Sequence, residues 1–86
     1  MIQRKDLLTF QFYKKEKFTG SFRGMRYLIQ KESSDETDLF AVYVWFGLYS
    51  FSATPETEKT KKTFPFAEES LEDIAKYLND SYIRNT

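Results

Sequence analysis

The sequence predicts an α+β domain: a three- to four-stranded, mostly antiparallel sheet with one C-terminal helix packed on its apolar face. Three observations point there. Two segments, residues 25–32 and 39–46, are rich in strand-forming side chains and flank a short polar run, as the arms of a hairpin do. Leu71, Ile74 and Leu78 recur at helical spacing near the C-terminus. The 86 residues carry 19% aromatics, enough for one efficient core and no second one. We therefore expect a single small domain over residues 1–86, and the sequence leaves the order of residues 1–9 undecided.

The elements follow in order. In residues 7–13, Leu8, Phe10 and Phe12 alternate with Thr9 and Gln11, which favours a strand over a helix. Lys14-Lys15-Glu16-Lys17 is a charged connection. Gly20 and Gly24 suggest a bend or bulge in extended chain. Residues 33–38 read as a six-residue polar hairpin loop. Pairing Glu32 with Leu39 sets Ile29 opposite Val42, Tyr27 opposite Val44 and Met25 opposite Phe46 on one apolar face. The other face carries Arg26, Leu28 and Gln30 opposite Trp45, Tyr43 and Ala41, with Arg26 set to make a cation–π pair with Trp45.

Gly47 ends the second strand, and Leu48-Tyr49-Ser50-Phe51-Ser52 reads as an aromatic connection or a short strand. Thr54-Pro55-Glu56 signals a helix start, but residues 55–62 have no apolar stripe and predict one or two exposed turns at most. Thr63-Phe64-Pro65-Phe66 reads as a short edge strand, since proline lacks the ladder N–H. The final helix places Glu68 and Glu69 at its positive end. If Ala67 is its cap position, Phe66 can staple against Leu71, although alanine is a poor cap and makes for a weak start. Asn79-Asp80 predict fraying after Leu78, and Tyr82 joins the stripe only if the helix runs that far.

Composition excludes several chemistries. There is no cysteine and no histidine. Disulfides, thiolate nucleophiles, Cys-ligated zinc and histidine-based acid–base catalysis are out. The acidic run Ser33-Ser34-Asp35-Glu36-Thr37-Asp38 reads as a solvated turn rather than a hard-cation loop. The carboxylate pairs Glu68/Glu72 and Glu69/Asp73 read as plain helix solvation. No catalytic residue, metal or cofactor is expected, and the chain reads as a non-enzyme. No apolar run reaches the ~18 residues of a membrane span, and the N-terminal residues lead into no signal-peptide core. A cytoplasmic location is the expectation.

Charge is laid out unevenly. Residues 1–32 hold eight basic side chains against three acidic ones, and residues 33–86 hold five against ten, so +5 faces −5 under a net charge of zero. The two parts are expected to neutralise each other within a monomer rather than across a twofold axis. Two binding surfaces are candidates. Arg26, Gln30, Tyr43, Trp45 and Tyr49 form an amphipathic face of the residue types found at protein-interface hot spots. Lys14, Lys15, Lys17, Arg23 and Arg26, interleaved with aromatics, form a candidate nucleic-acid surface. Each has a plainer alternative, with rings in the core and cations on a solvated rim, or the N-terminal segment folded over the sheet. A protein-interaction role is the first expectation and nucleic-acid binding the alternative.

Several stretches carry a resemblance: Phe18-Thr19-Gly20-Ser21-Phe22-Arg23-Gly24-Met25-Arg26-Tyr27, Val44-Trp45-Phe46-Gly47-Leu48-Tyr49-Ser50-Phe51, Thr54-Pro55-Glu56, Phe64-Pro65-Phe66-Ala67-Glu68-Glu69 and Tyr77-Leu78-Asn79. Together they run from about residue 10 to residue 82. The chain resembles a family of small proteins from Gram-positive gut bacteria, often carried on conjugative transposons and without an established activity. Proline often stands where this chain has Phe46, and serine or aspartate where it has Ala67. The resemblance implies a mobile-element setting and no chemistry. Some such proteins carry an acetyltransferase label, but Ser21-Phe22-Arg23-Gly24-Met25-Arg26 lacks the successive glycines and following helix that would aim backbone N–H groups at a pyrophosphate.

Overall fold

In a computed structural model, which describes residues 2–3, 6–7, 9–47, 51–55, 57 and 59–84, an antiparallel sheet of strand order β1-β2-β3-β4 is followed by a C-terminal helix. The strands are β1 (Phe18–Phe22), β2 (Met25–Ser34), β3 (Thr37–Phe46) and β4 (Thr60–Pro65). The helices are α1 (Phe10–Tyr13) and α2 (Ser70–Arg84). The expected α+β class is observed, and of the three to four strands expected the sheet has four.

The β2–β3 register is the one the apolar pattern demands, with Glu32 opposite Leu39, Tyr27 opposite Val44 and Met25 opposite Phe46. A one-residue slip would turn Tyr27, Ile29, Val42 and Val44 out of the core. The connection is shorter than expected. Ser34 pairs with Thr37, leaving a two-residue turn at Asp35 and Glu36, whose φ values are 48° and 68°. The polar residues 33, 34, 37 and 38 still pair along the ladder, because backbone hydrogen bonding does not require apolar side chains. Ser33 Oγ donates to Asp38 Oδ1 at 2.8 Å across it.

The bend expected near Gly20 and Gly24 is a second hairpin. Phe22 pairs with Met25, and Arg23 (φ 47°) and Gly24 (φ 92°) form its turn. Two positive φ values are the type I′ pattern that matches strand twist. Gly20 serves a different end. It pairs with Tyr27, and a Cβ there would stand 2.6 Å from the Tyr27 hydroxyl. The tyrosine ring lies where a side chain on β1 would be.

The apolar face of the sheet and α2 share one core. Met25, Tyr27, Ile29, Phe40, Val42 and Val44 are buried in a cluster with Leu71, Ile74, Ala75 and Leu78. Phe46, expected on that face, lies at its end and is 37% exposed. The helix begins later than Ala67: i→i−3 hydrogen bonds reach Ala67, Glu68 and Glu69 before the regular turns start at Ser70. It does not fray after Leu78. It runs to Arg84, so Tyr82 does join the stripe and meets Phe22 edge to face at 5.0 Å. Phe66 packs against Phe10 and Phe40, each at 4.7 Å.

The strand expected over residues 7–13 is instead the single turn α1. Helical spacing places Phe10 and Tyr13 on one side, where both rings reach Phe40, at 6.0 and 5.5 Å. Strict alternation would have sent them to opposite faces. Tertiary packing overrides the period-2 pattern. The edge strand expected over residues 63–66 is longer toward its start, opening at Thr60. Ile2 and Leu7 join the core. Of the described N-terminal residues, Ile2 and Leu7 therefore pack into the core shared with α2 and not over the other face of the sheet.

Candidate binding surface

The second face of the sheet divides into two parts bridged by Phe51. At the β2–β3 turn end, Glu32 is the hub. It accepts hydrogen bonds from Tyr43 Oη at 2.8 Å, Gln30 Nε2 at 3.0 Å and Lys61 Nζ at 3.0 Å. The Lys61 bond foremost, with those from Tyr43 and Gln30, outweighs partial burial and holds the Glu32 carboxyl below its ordinary range. The bond to Glu32 raises Lys61 in turn. Burial, then the bond to Glu32, raises Tyr43. Two of the expected interface residues, Gln30 and Tyr43, are thus engaged by Glu32. The sequence reading did not single that residue out. Its signal was the cross-strand register, which places Tyr43 opposite Leu28 and Lys61 opposite Tyr43.

At the other end lie Arg26 and Trp45, directly paired across β2 and β3. Arg26 Nε donates to the Gly47 carbonyl at 3.0 Å. Trp45 corrects an expectation: it is 4% exposed and so is no projecting surface anchor. Phe51 covers it, its ring 5.5 Å from Trp45 and 5.0 Å from Tyr43. Lys59 Nζ sits 3.8 Å from the Phe51 ring centre and donates to the Phe51 carbonyl. Phe51, which follows β3, packs over this part of the face. Tyr49, the fifth expected residue, lies outside the described residues.

An open cleft of about 310 Å³ remains on this face, lined by Thr19, Gly20 and Ser21 of β1 together with Arg26, Trp45 and Phe51. It lies alongside β1, an edge strand. A second cleft of about 380 Å³ is lined by Lys14, Lys15, Lys17, Lys31, Glu16 and Gln30. The expected nucleic-acid residues are therefore split. Lys14, Lys15 and Lys17 come together with Lys31, which is not among the expected nucleic-acid residues. Arg23 and Arg26 lie toward the other end of β1, Arg23 with its guanidinium 5.4 Å from the Phe22 ring centre. The ring at the lysine cleft, Tyr13, is 1% exposed.

Among the described residues no group of three potential ligand side chains could hold a metal ion. Among the described residues the buried polar ones are Thr54, Ser70 and Ser81. Among them too, no helix is long and apolar enough to cross a membrane. Comparisons with protein-family models, with curated proteins and with solved structures found no match to this chain.

Proposed function

We propose that the protein is a non-enzymatic, cytoplasmic accessory domain that binds another protein through the second face of its sheet, in a mobile-element setting, and that it acts as a monomer without a cofactor. The observation that carries this is the open cleft between edge strand β1 and the Trp45–Phe51 pair, with Arg26 in its wall. Aromatics and an arginine lining a groove are the elements of an interface hot spot. Arg26 is the residue to change, because its contact to Gly47 is exposed and contributes little to folding. The immobilised protein should retain a partner from lysate that Arg26→Ala fails to retain, with unfolding midpoints unchanged. Equal retention by both overturns the reading.

A second reading, nucleic-acid binding, is favoured by the gathering of Lys14, Lys15, Lys17 and Lys31 at one cleft. With no exposed ring at that cleft, the contacts would be to phosphates and so indifferent to sequence. Oligonucleotide binding that weakens steeply with salt and disappears in a Lys14→Glu, Lys15→Glu, Lys17→Glu triple variant supports it. Binding that survives the triple change sinks it.

A further inference from the structure

The two edges of the sheet are unlike. β4 carries Lys61, Lys62 and Pro65, the charged and proline residues that discourage further pairing. β1, Phe-Thr-Gly-Ser-Phe, carries no charge and no proline. The two-residue turn at Arg23 and Gly24 makes Phe22 and Met25 a hydrogen-bonded pair, and such pairs alternate along the ladder. The main-chain groups of Phe18, Gly20 and Phe22 therefore face β2. Those of Thr19 and Ser21 face outward, where no strand among the described residues pairs with them. The cleft of about 310 Å³ opens beside these same two residues.

We propose that β1 accepts an extended acidic peptide segment of a partner protein as a fifth strand. This rests on the protein-binding reading and names the partner's chemistry. Thr19 and Ser21 supply the main-chain hydrogen bonds. The partner's side chains on the second face reach over β1, and a long apolar one enters the cleft toward Trp45 and Phe51. In strand addition, main-chain bonds give affinity and such pockets give specificity. Charge selects the occupant. Lys17 directly precedes β1 and Arg23 directly follows it, while Arg26 lines the cleft. A second copy of the chain is disfavoured. In full-length antiparallel self-pairing, Thr19 meets Ser21 and Lys17 meets Arg23 at both ends, and like charges directly opposite destabilise a pair. Carboxylates in those positions reverse the sign.

The test is amide hydrogen exchange by NMR on the full chain, with a synthetic peptide Asp-Val-Glu-Leu-Glu-Val-Asp as probe. At a peptide concentration ten times its Kd, the Thr19 and Ser21 amides should exchange about tenfold more slowly. A peptide with lysine at each acidic position should leave them unchanged, and so should one N-methylated at the main-chain nitrogens that would face β1. Equal protection by the lysine peptide overturns the acidic occupant, and equal protection by the N-methylated one overturns strand addition. So does acidic-peptide binding that shifts only Lys14, Lys15, Lys17 and Lys31. Protection at Thr19 and Ser21 that grows with protein concentration alone assigns the edge to a second copy and overturns the peptide proposal. If peptides fail but Arg26-dependent capture holds, the strand is wrong and the protein-binding reading stands. If both fail, the reading itself is wrong.

Discussion

Asn79 holds Ile2 by its backbone. The carboxamide Oδ1 accepts from the Ile2 N–H at 2.9 Å, and Nδ2 donates to the Ile2 carbonyl at 2.7 Å. One side chain on α2 thus satisfies both main-chain groups of a residue that is 6% exposed. Asn79→Ala leaves both without their partner and should lower stability by about 1–2 kcal/mol. Urea unfolding measures this, and the Ile2 amide should exchange faster well before global unfolding.

Gly20→Ala sets a Cβ against the Tyr27 ring, with ring carbon Cζ only 2.7 Å away. Tyr27 is 5% exposed and has little room to retreat. The expected cost is about 1–3 kcal/mol, in line with other overpacked sites. Part should return in the double variant with Tyr27→Phe, which removes the nearest atom. Thermal or chemical denaturation of the four proteins of the cycle checks it.

Glu36 stands at φ 68°, a conformation that suits glycine. Glu36→Gly produces an Asp-Gly turn, the preferred type I′ pair. It should raise stability by about 0.5–1 kcal/mol. A loss of stability would mean that the turn is not the two-residue one seen here.

The hub at Glu32 makes stability depend on pH in two windows. Its carboxyl titrates lower in the folded protein than in the unfolded chain. Its contribution is therefore present above the unfolded value and is lost as pH falls through the folded one. Lys61 and Tyr43 titrate higher when folded. Their contributions are present below their unfolded values and fade as pH rises through the folded ones. Stability contributed by this hub should be flat between those limits. Glu32→Gln should flatten the acid limb and also weaken the alkaline one, as urea midpoints across pH will report.

Trp45→Ala removes a buried ring packed against Phe51 and should cost about 3–5 kcal/mol. It is thus a stability variant and no probe of binding. A Trp45→Ala protein with an unchanged midpoint would contradict the burial described here.

The hairpin register was legible because the faces of β2 and β3 differ sharply, and only one pairing buries Tyr27, Ile29, Val42 and Val44 together. The helical stripe was legible for the same reason, although the persistence of α2 past Asn79 was not. There the asparagine that reads as a helix end is occupied with Ile2. Residues 10–13 misled because Phe10 and Phe12 suit a strand locally, and only the distant Phe40 ring decides otherwise. The candidate site was legible in part. Arg26 and Trp45 were correctly paired, but burial by Phe51 depends on a connection whose path no periodicity encodes. The gathering of Lys31 with Lys14, Lys15 and Lys17 depends on how the chain turns from α1 into β1, and spacing along the chain does not report it.

Each strand of this sheet pairs only with its neighbours in sequence, and two of the connections are two-residue turns. The consequence is kinetic. Contacts so close along the chain cost little loop-closure entropy, so the sheet should zip from the β2–β3 turn outward on a timescale of ~milliseconds. The clasp between Ile2 and Asn79 spans 77 positions and belongs at the opposite extreme. It should close after the folding barrier and open first, so that Asn79→Ala speeds unfolding and leaves the folding rate nearly untouched.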